Sequence, residues 1–72
     1  MRILVTGAAT GIGRATAIEL TKRGHEVVAT ARRVDALDDL DVADRLQLDV
    51  TDEASVTRAI AAAGDLDGIV NN

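Results

Sequence analysis

Glycine stands at positions 7, 11 and 13, directly after the apolar run Ile3-Leu4-Val5 and Thr6. Glycines at the exit of a buried strand have a chemical use. A helix starting there presents unpaired N–H groups and the positive end of its dipole, which together favour a phosphate. Glycine permits the sharp turn and lets backbone approach an anion without a Cβ in the way. No Gly-Lys-Ser/Thr follows, so a nucleoside-triphosphate loop is excluded. The bland alternative is a tight turn that binds nothing. Other reactive side chains are scarce. Tyr and Cys are absent, and Lys22, Ser55 and His25 are the sole residues of their kinds. Without Cys, disulfides and thiolate metal sites are excluded.

The elements that must position this turn can be read along the chain. Residues 2–6 form a short apolar, β-branched run, as expected for a strand buried on both faces. A helix is expected from Gly11 to Arg23, with Ile12, Thr16 and Leu20 on one stripe and Ala15 and Ile18 beside it. Lys22 and Arg23 suit its last turn, and Gly24 ends it. Residues 26–30 read as a second strand. Val34, Leu37 and Leu40 predict a short helix over 34–40. Leu46 to Val50 read as a third strand, and Thr51 or Asp52 caps the next helix. Val56, Ala59, Ile60 and Ala63 form its buried face, and Gly64 ends it. Leu66 to Val70 read as a fourth strand. The order is β-α-β-α-β-α-β, an α/β pattern that predicts a parallel sheet covered on both faces.

Size and charge narrow the function classes. A chain of 72 residues holds at most one small domain, and a domain of that size is marginal on its own. Its core must be built without any aromatic residue. The net charge of −4 argues against a general affinity for nucleic acid or anionic membrane. No segment approaches about 18 consecutive apolar residues, so no membrane span is expected. Met1-Arg2-Ile3 is too brief before Gly7 for a signal peptide, so a cytoplasmic setting is expected. Five aspartates lie between positions 35 and 44. Nothing in their spacing places them on one face, so they read as a solvated segment rather than a metal site. His25 follows Gly24 at a turn on the sheet end opposite the glycines, and Arg14 and Arg58 read as surface charges.

The spacing Thr6-Gly7, three residues, Gly11-Ile12-Gly13 resembles the T-G-x-x-x-G-x-G signature of the short-chain dehydrogenase/reductase family. Leu48-Asp49-Val50-Thr51-Asp52 is similar to that family's segment after the third strand. Ile69-Val70-Asn71-Asn72 is similar to the start of its N-N-A-G motif, and the resemblance covers the whole chain. It implies a Rossmann-like sheet with strand order 3-2-1-4. Residues 1–72 would then be the N-terminal half of a dinucleotide-binding domain. Gly7, Gly11 and Gly13, with the backbone of Ala8, Ala9, Thr10 and Ile12, would cradle the cofactor pyrophosphate. Thr6 would tie the first strand to Asn71 and Asn72. Asp49 would bond the adenine amino group with Val50 beside the ring, and Asn72 would lie near the nicotinamide-side ribose. As alternatives, Asp49 only caps a strand end and the asparagines only make a turn.

The second strand ends Ala29-Thr30-Ala31-Arg32-Arg33. An NAD-preferring protein places Asp or Glu near here, on the ribose 2′-hydroxyl. In the resembling family that acid falls at about Ala31, and here it is missing. Arg32 and Arg33 follow, and a guanidinium fork suits a 2′-phosphate. The expected cofactor is therefore NADP(H) rather than NAD(H), with Arg32 the leading contact and Arg33 secondary. The alternative is two solvated arginines that pair with the aspartates after them.

The family's hydride transfer uses a Tyr in Y-x-x-x-K and a Ser. None of these motif positions is matched here, so no catalytic residue is assigned. The expectation is an inactive fragment of a longer oxidoreductase. The fourth strand would leave an open apolar edge at Leu66, Ile69 and Val70, which invites self-association. A different class of reading is a non-catalytic nucleotide-binding or self-associating module that functions at this length.

Overall fold

The computed structural model describes all residues, Met1–Asn72. Four parallel strands form one sheet in the order β3-β2-β1-β4. They are β1 (Arg2–Val5), β2 (Glu26–Ala31), β3 (Asp44–Gln47) and β4 (Gly68–Val70), with helices α1 (Gly11–Lys22) and α2 (Glu53–Ala63) in the connections. The registers Leu4↔Val28, Leu4↔Ile69 and Thr30↔Leu46 align the strands so that their carboxyl ends meet on one side.

Strand alternation divides the core in two. Ile3, Val5, Val27, Ala29 and Ala31 pack with Ala17 of α1 and with Leu37 and Leu40. Leu4 and Val28 point the other way, to Leu48 and to Ala59 and Ala63 of α2. Both central strands are thus covered on both faces, as their continuous apolar runs require. Small residues make the helix contacts, so short side chains and close approach replace the bulk that aromatics would supply.

Five details differ from the sequence reading. The segment expected as a helix over 34–40 is a single 3-10 turn, Val34–Leu37. Its apolar residues recur every third position, the period of a 3-10 helix. Arg45 then takes the carbonyls of Leu37 and Leu40, fixing the chain beyond the turn. β3 begins earlier than expected and ends at Gln47, because Asp49 bends the chain through its own side chain. β4 starts only at Gly68, since the Asp67 carboxylate accepts the Arg2 N–H at 2.7 Å ahead of the strand. Finally, α1 buries Gly13 and Ala17, while Ile12 is 77% exposed and Ile18 is also exposed. The buried stripe lies one residue round the helix from the expected one. On α2 the buried face is Ser55, Ala59 and Ala63, with Ile60 left on the surface.

Arg2 closes the end of the sheet opposite the glycines. Its Nε donates to Ala63 O at 2.9 Å, at the C-terminus of α2. Its guanidinium also pairs with Glu26 at 3.2 Å and Asp44 at 3.6 Å. One cation therefore joins α2 to β2 and β3.

Candidate functional site

The glycine turn leaves β1 at its carboxyl end. Gly7 and Gly11 take φ of 60° and 59°, the left-handed region that L side chains resist. Gly13 is held against the turn. A Cβ there would lie 2.1 Å from Gly7 O and 2.8 Å from Asn72 Nδ2. The turn is anchored from β2, where Thr30 O accepts the Ala8 N–H at 2.9 Å. Thr30 Oγ1 in turn donates to Val5 O at 2.9 Å. Thr30 is fully buried, and sequence reasoning gave it no role. A lone hydroxyl inside the apolar run of β2 was the available signal.

What this turn leaves free matters most. The N–H groups of Gly7, Ala9, Thr10, Gly11, Ile12 and Gly13 have no hydrogen-bond partner in the chain. Thr10 occupies the N-cap position of α1 in an extended conformation without a side-chain cap bond. The first turn of α1 also carries no acid. In α2, by contrast, Asp52 accepts from Ala54 N at 3.1 Å and Glu53 follows it. The α2 N-terminus thus carries two acidic side chains and a capped donor, whereas that of α1 carries neither and is the better suited to an anion.

The asparagines reach the same place. Thr6 Oγ1 accepts from Asn72 N at 2.9 Å and lies 3.3 Å from Asn71 Oδ1 and 3.4 Å from Val70 O. Asn72 Nδ2 approaches Gly7 O at 3.5 Å. The end of β4 is thereby tied to the end of β1 and to the start of the glycine turn.

Arg32 and Arg33 flank the turn on its other side. Gly7, Ala9, Thr10, Ala31, Arg32, Arg33 and Ala36 line one groove of about 340 Å³. Arg33 pairs with Asp35 at 3.1 Å, while Arg32 enters none of the ion pairs of the chain. The remaining acids of this segment are largely exposed, and no group of three or more His, Cys, Asp or Glu is placed to hold a metal. Arg14 and Asp39 form a two-pronged ion pair at 2.6 and 3.2 Å.

Asp49 follows β3. Its Oδ1 accepts from Thr51 Oγ1 at 2.6 Å and Thr51 N at 3.0 Å. Those two bonds hold its carboxyl below the ordinary value of 3.8, and the charge of Arg32 pulls in the same direction against partial desolvation. Val50 is exposed and lines a second groove of about 250 Å³ with Leu48, Ile69 and Asn71 among others. The expected site residues thus lie beyond the carboxyl ends of the strands, and several of them line two separate grooves. Gly7, Ala9, Thr10 and the two arginines line one, and Thr6, Val50 and Asn71 line the other.

The paired carboxylates predict a pH effect. The Arg14 hydrogen bond lowers Asp39 below its ordinary value of 3.8. Its stabilising contribution is therefore present above about pH 4 and is lost as pH falls through the depressed folded value. Asp39→Asn is expected to remove that component, flattening the dependence of the urea midpoint on pH below 4. An unchanged acid limb would show that the pair contributes nothing, as exposed pairs can.

Comparison with known proteins gives a consistent picture. The family model described as short chain dehydrogenase matches residues 1–72. The chain is 38% identical to a serine 3-dehydrogenase of Agrobacterium fabrum, over 97% of this chain and 32% of that protein. It is 36% identical to an NADP-dependent 3-hydroxy acid dehydrogenase of Shigella flexneri, over 100% of this chain and 33% of that protein. The fold superposes on a short-chain dehydrogenase from Streptomyces avermitilis with a TM-score of 0.85 and 42% identity. That superposition covers 99% of this chain and 30% of the other. The chain spans about a third of the length of these relatives. All 72 residues lie inside the family match, and the chain belongs to the short-chain dehydrogenase family.

Proposed function

We propose that this chain binds NADP(H) and forms the N-terminal, cofactor-holding part of a reductase. The observation that carries the reading is a row of unpartnered N–H groups over Gly7 and Ala9–Gly13 beside Arg32, a cation without an acidic partner. The residues fit a dinucleotide. Gly7, Gly11 and Gly13, with the backbone of Ala8, Ala9, Thr10 and Ile12, would hold the pyrophosphate, and the close fit at Gly13 keeps helix and turn in contact. Arg32 would take the 2′-phosphate with Arg33 in support, and no Asp or Glu stands at position 31 to favour a free 2′-hydroxyl. Asp49 and Val50 would meet the adenine. Thr6, Asn71 and Asn72 would brace the turn, with Asn72 nearest the nicotinamide-side ribose. The bound nicotinamide supplies hydride transfer to or from a carbonyl or alcohol.

Within these 72 residues no Tyr is available as acid/base. The chain is therefore proposed to bind cofactor without turning over substrate. A cytoplasmic location is part of the same proposal. Titration calorimetry with NADPH and NADH tests it. NADPH is expected to bind at least about tenfold more tightly, the scale of one charge-assisted bond. NADH binding equal to or tighter than NADPH would overturn the choice of cofactor.

A second reading has its own observation. β4 lies at the edge of the sheet with Ile69 54% exposed. An apolar edge with free backbone groups recruits further strands, so we also propose self-association through β4. Light scattering is expected to give a mass that rises with concentration. A fall in that rise on Ile69→Lys supports the edge, and a constant monomer mass at high concentration rejects it.

A further inference from the structure

We propose that Ser55 and Thr51 are positioning residues that hold Asp49 with one carboxylate oxygen open toward an exocyclic amino group of the bound base. The inference rests on the dinucleotide reading above and goes beyond it by assigning what sets base selectivity. Ser55 is 1% exposed on the face of α2 that otherwise buries Ala59 and Ala63. A hydroxyl placed there has to be satisfied. It accepts the Asp49 N–H at 2.9 Å and donates to Gln47 Oε1 at 3.1 Å. One buried side chain thus joins α2 to the last residue of β3 and to the residue where the chain departs from the sheet.

The rest of Asp49 is also committed. Its carbonyl accepts the Asp52 N–H at 3.0 Å. Its Oδ1 accepts both the hydroxyl and the N–H of Thr51. Oδ2 alone receives no hydrogen bond from the chain. An ionised carboxylate oxygen can only accept, so it selects a ligand group that donates. Adenine offers an exocyclic amino donor, whereas hypoxanthine carries a carbonyl acceptor at the same position and would be repelled. The depressed titration of Asp49 agrees, because it keeps the group ionised. Neither Ser55 nor Thr51 needs to touch the ligand. Ser55 fixes the backbone of residue 49, and Thr51 fixes which oxygen remains open.

The test compares binding of NADP⁺ and nicotinamide hypoxanthine dinucleotide phosphate to the 72-residue chain by calorimetry. The unmodified chain is expected to prefer adenine by about tenfold, the scale of a hydrogen bond to a charged group. Ser55→Ala and Thr51→Val are each expected to cut that preference to about threefold or less. Thr51→Ser is expected to keep it. The preference for NADP⁺ over NAD⁺, which belongs to Arg32, should stay within about twofold in all three. A merely structural role would lower both preferences or neither. Thr51 is exposed, so if Ser55→Ala fails to fold, Thr51→Val decides alone. An adenine preference that is absent at the outset, or that survives Thr51→Val, overturns the assignment while leaving NADP(H) binding intact. Failure of both dinucleotides to bind overturns the cofactor reading and this inference together.

Discussion

Gly13→Ala is expected to lower the stability of the chain by about 3 kcal/mol, the upper range for forcing a group into a closed contact. The reason is steric and local. The added Cβ would lie 2.1 Å from the Gly7 carbonyl oxygen, 2.8 Å from its carbon and 2.8 Å from Asn72 Nδ2. Two of those atoms are backbone, so no rotamer change relieves the contact. Either α1 or the glycine turn must move. A domain of this size has a total stability of only about 5 kcal/mol, so most of it would be lost. Gly11 is the control. A Cβ there meets nothing within 4 Å, but its φ of +59° strains an L residue. Gly11→Ala is therefore expected to cost only about 1 kcal/mol. Urea unfolding followed by far-UV circular dichroism measures both. Equal midpoints for Gly13→Ala and the unmodified chain would refute the packing argument.

Arg32→Ala is expected to weaken NADPH binding about tenfold or more while changing NADH binding less than twofold, as for removing one charge-assisted bond. Arg32 has the open guanidinium of the pair, because Arg33 already engages Asp35 at 3.1 Å. Arg33→Ala should accordingly have the smaller effect. Both effects should shrink with added salt, since these groups are exposed to screening. Calorimetry with the two reduced dinucleotides in low and moderate salt reads this directly. An equal loss of NADPH and NADH affinity would place Arg32 on the pyrophosphate or on the fold, not on the 2′-phosphate.

Much of the arrangement was legible because its signals are local. The continuous apolar runs of β1 and β2, the glycines after Thr6 and the stop at Gly24 each depend on residues a few positions apart. The strand order came through the three family motifs, not from periodicity. The misread details share a cause of the opposite kind. The helix expected over 34–40 became a 3-10 turn, held beyond its end by Arg45 reaching over from β3 to the carbonyls of Leu37 and Leu40. β3 stopped at Gln47 because Asp49 spends its side chain on Thr51. The buried stripe of α1 was set by how closely Gly13 and Ala17 let the helix approach the sheet, which outweighed the larger apolar residues beside them. The roles of Ser55 and Thr30 were not legible, since a hydroxyl's partner is invisible until distant elements meet.

Sequence by itself determined the chemistry on offer. It specified glycines at the exit of the first strand, arginines directly after the alanine where an acid would otherwise stand, and no tyrosine. Those are properties of residue types and spacing. Tertiary structure decided which of these groups remain unengaged. It left the amides from Ala9 to Gly13 open, left Arg32 unpaired while Arg33 found Asp35, and closed every hydrogen-bonding atom of Asp49 except Oδ2. A donor or acceptor is available to a ligand only after the fold has distributed all the internal partners, and that distribution joins residues as far apart as Thr6 and Asn72.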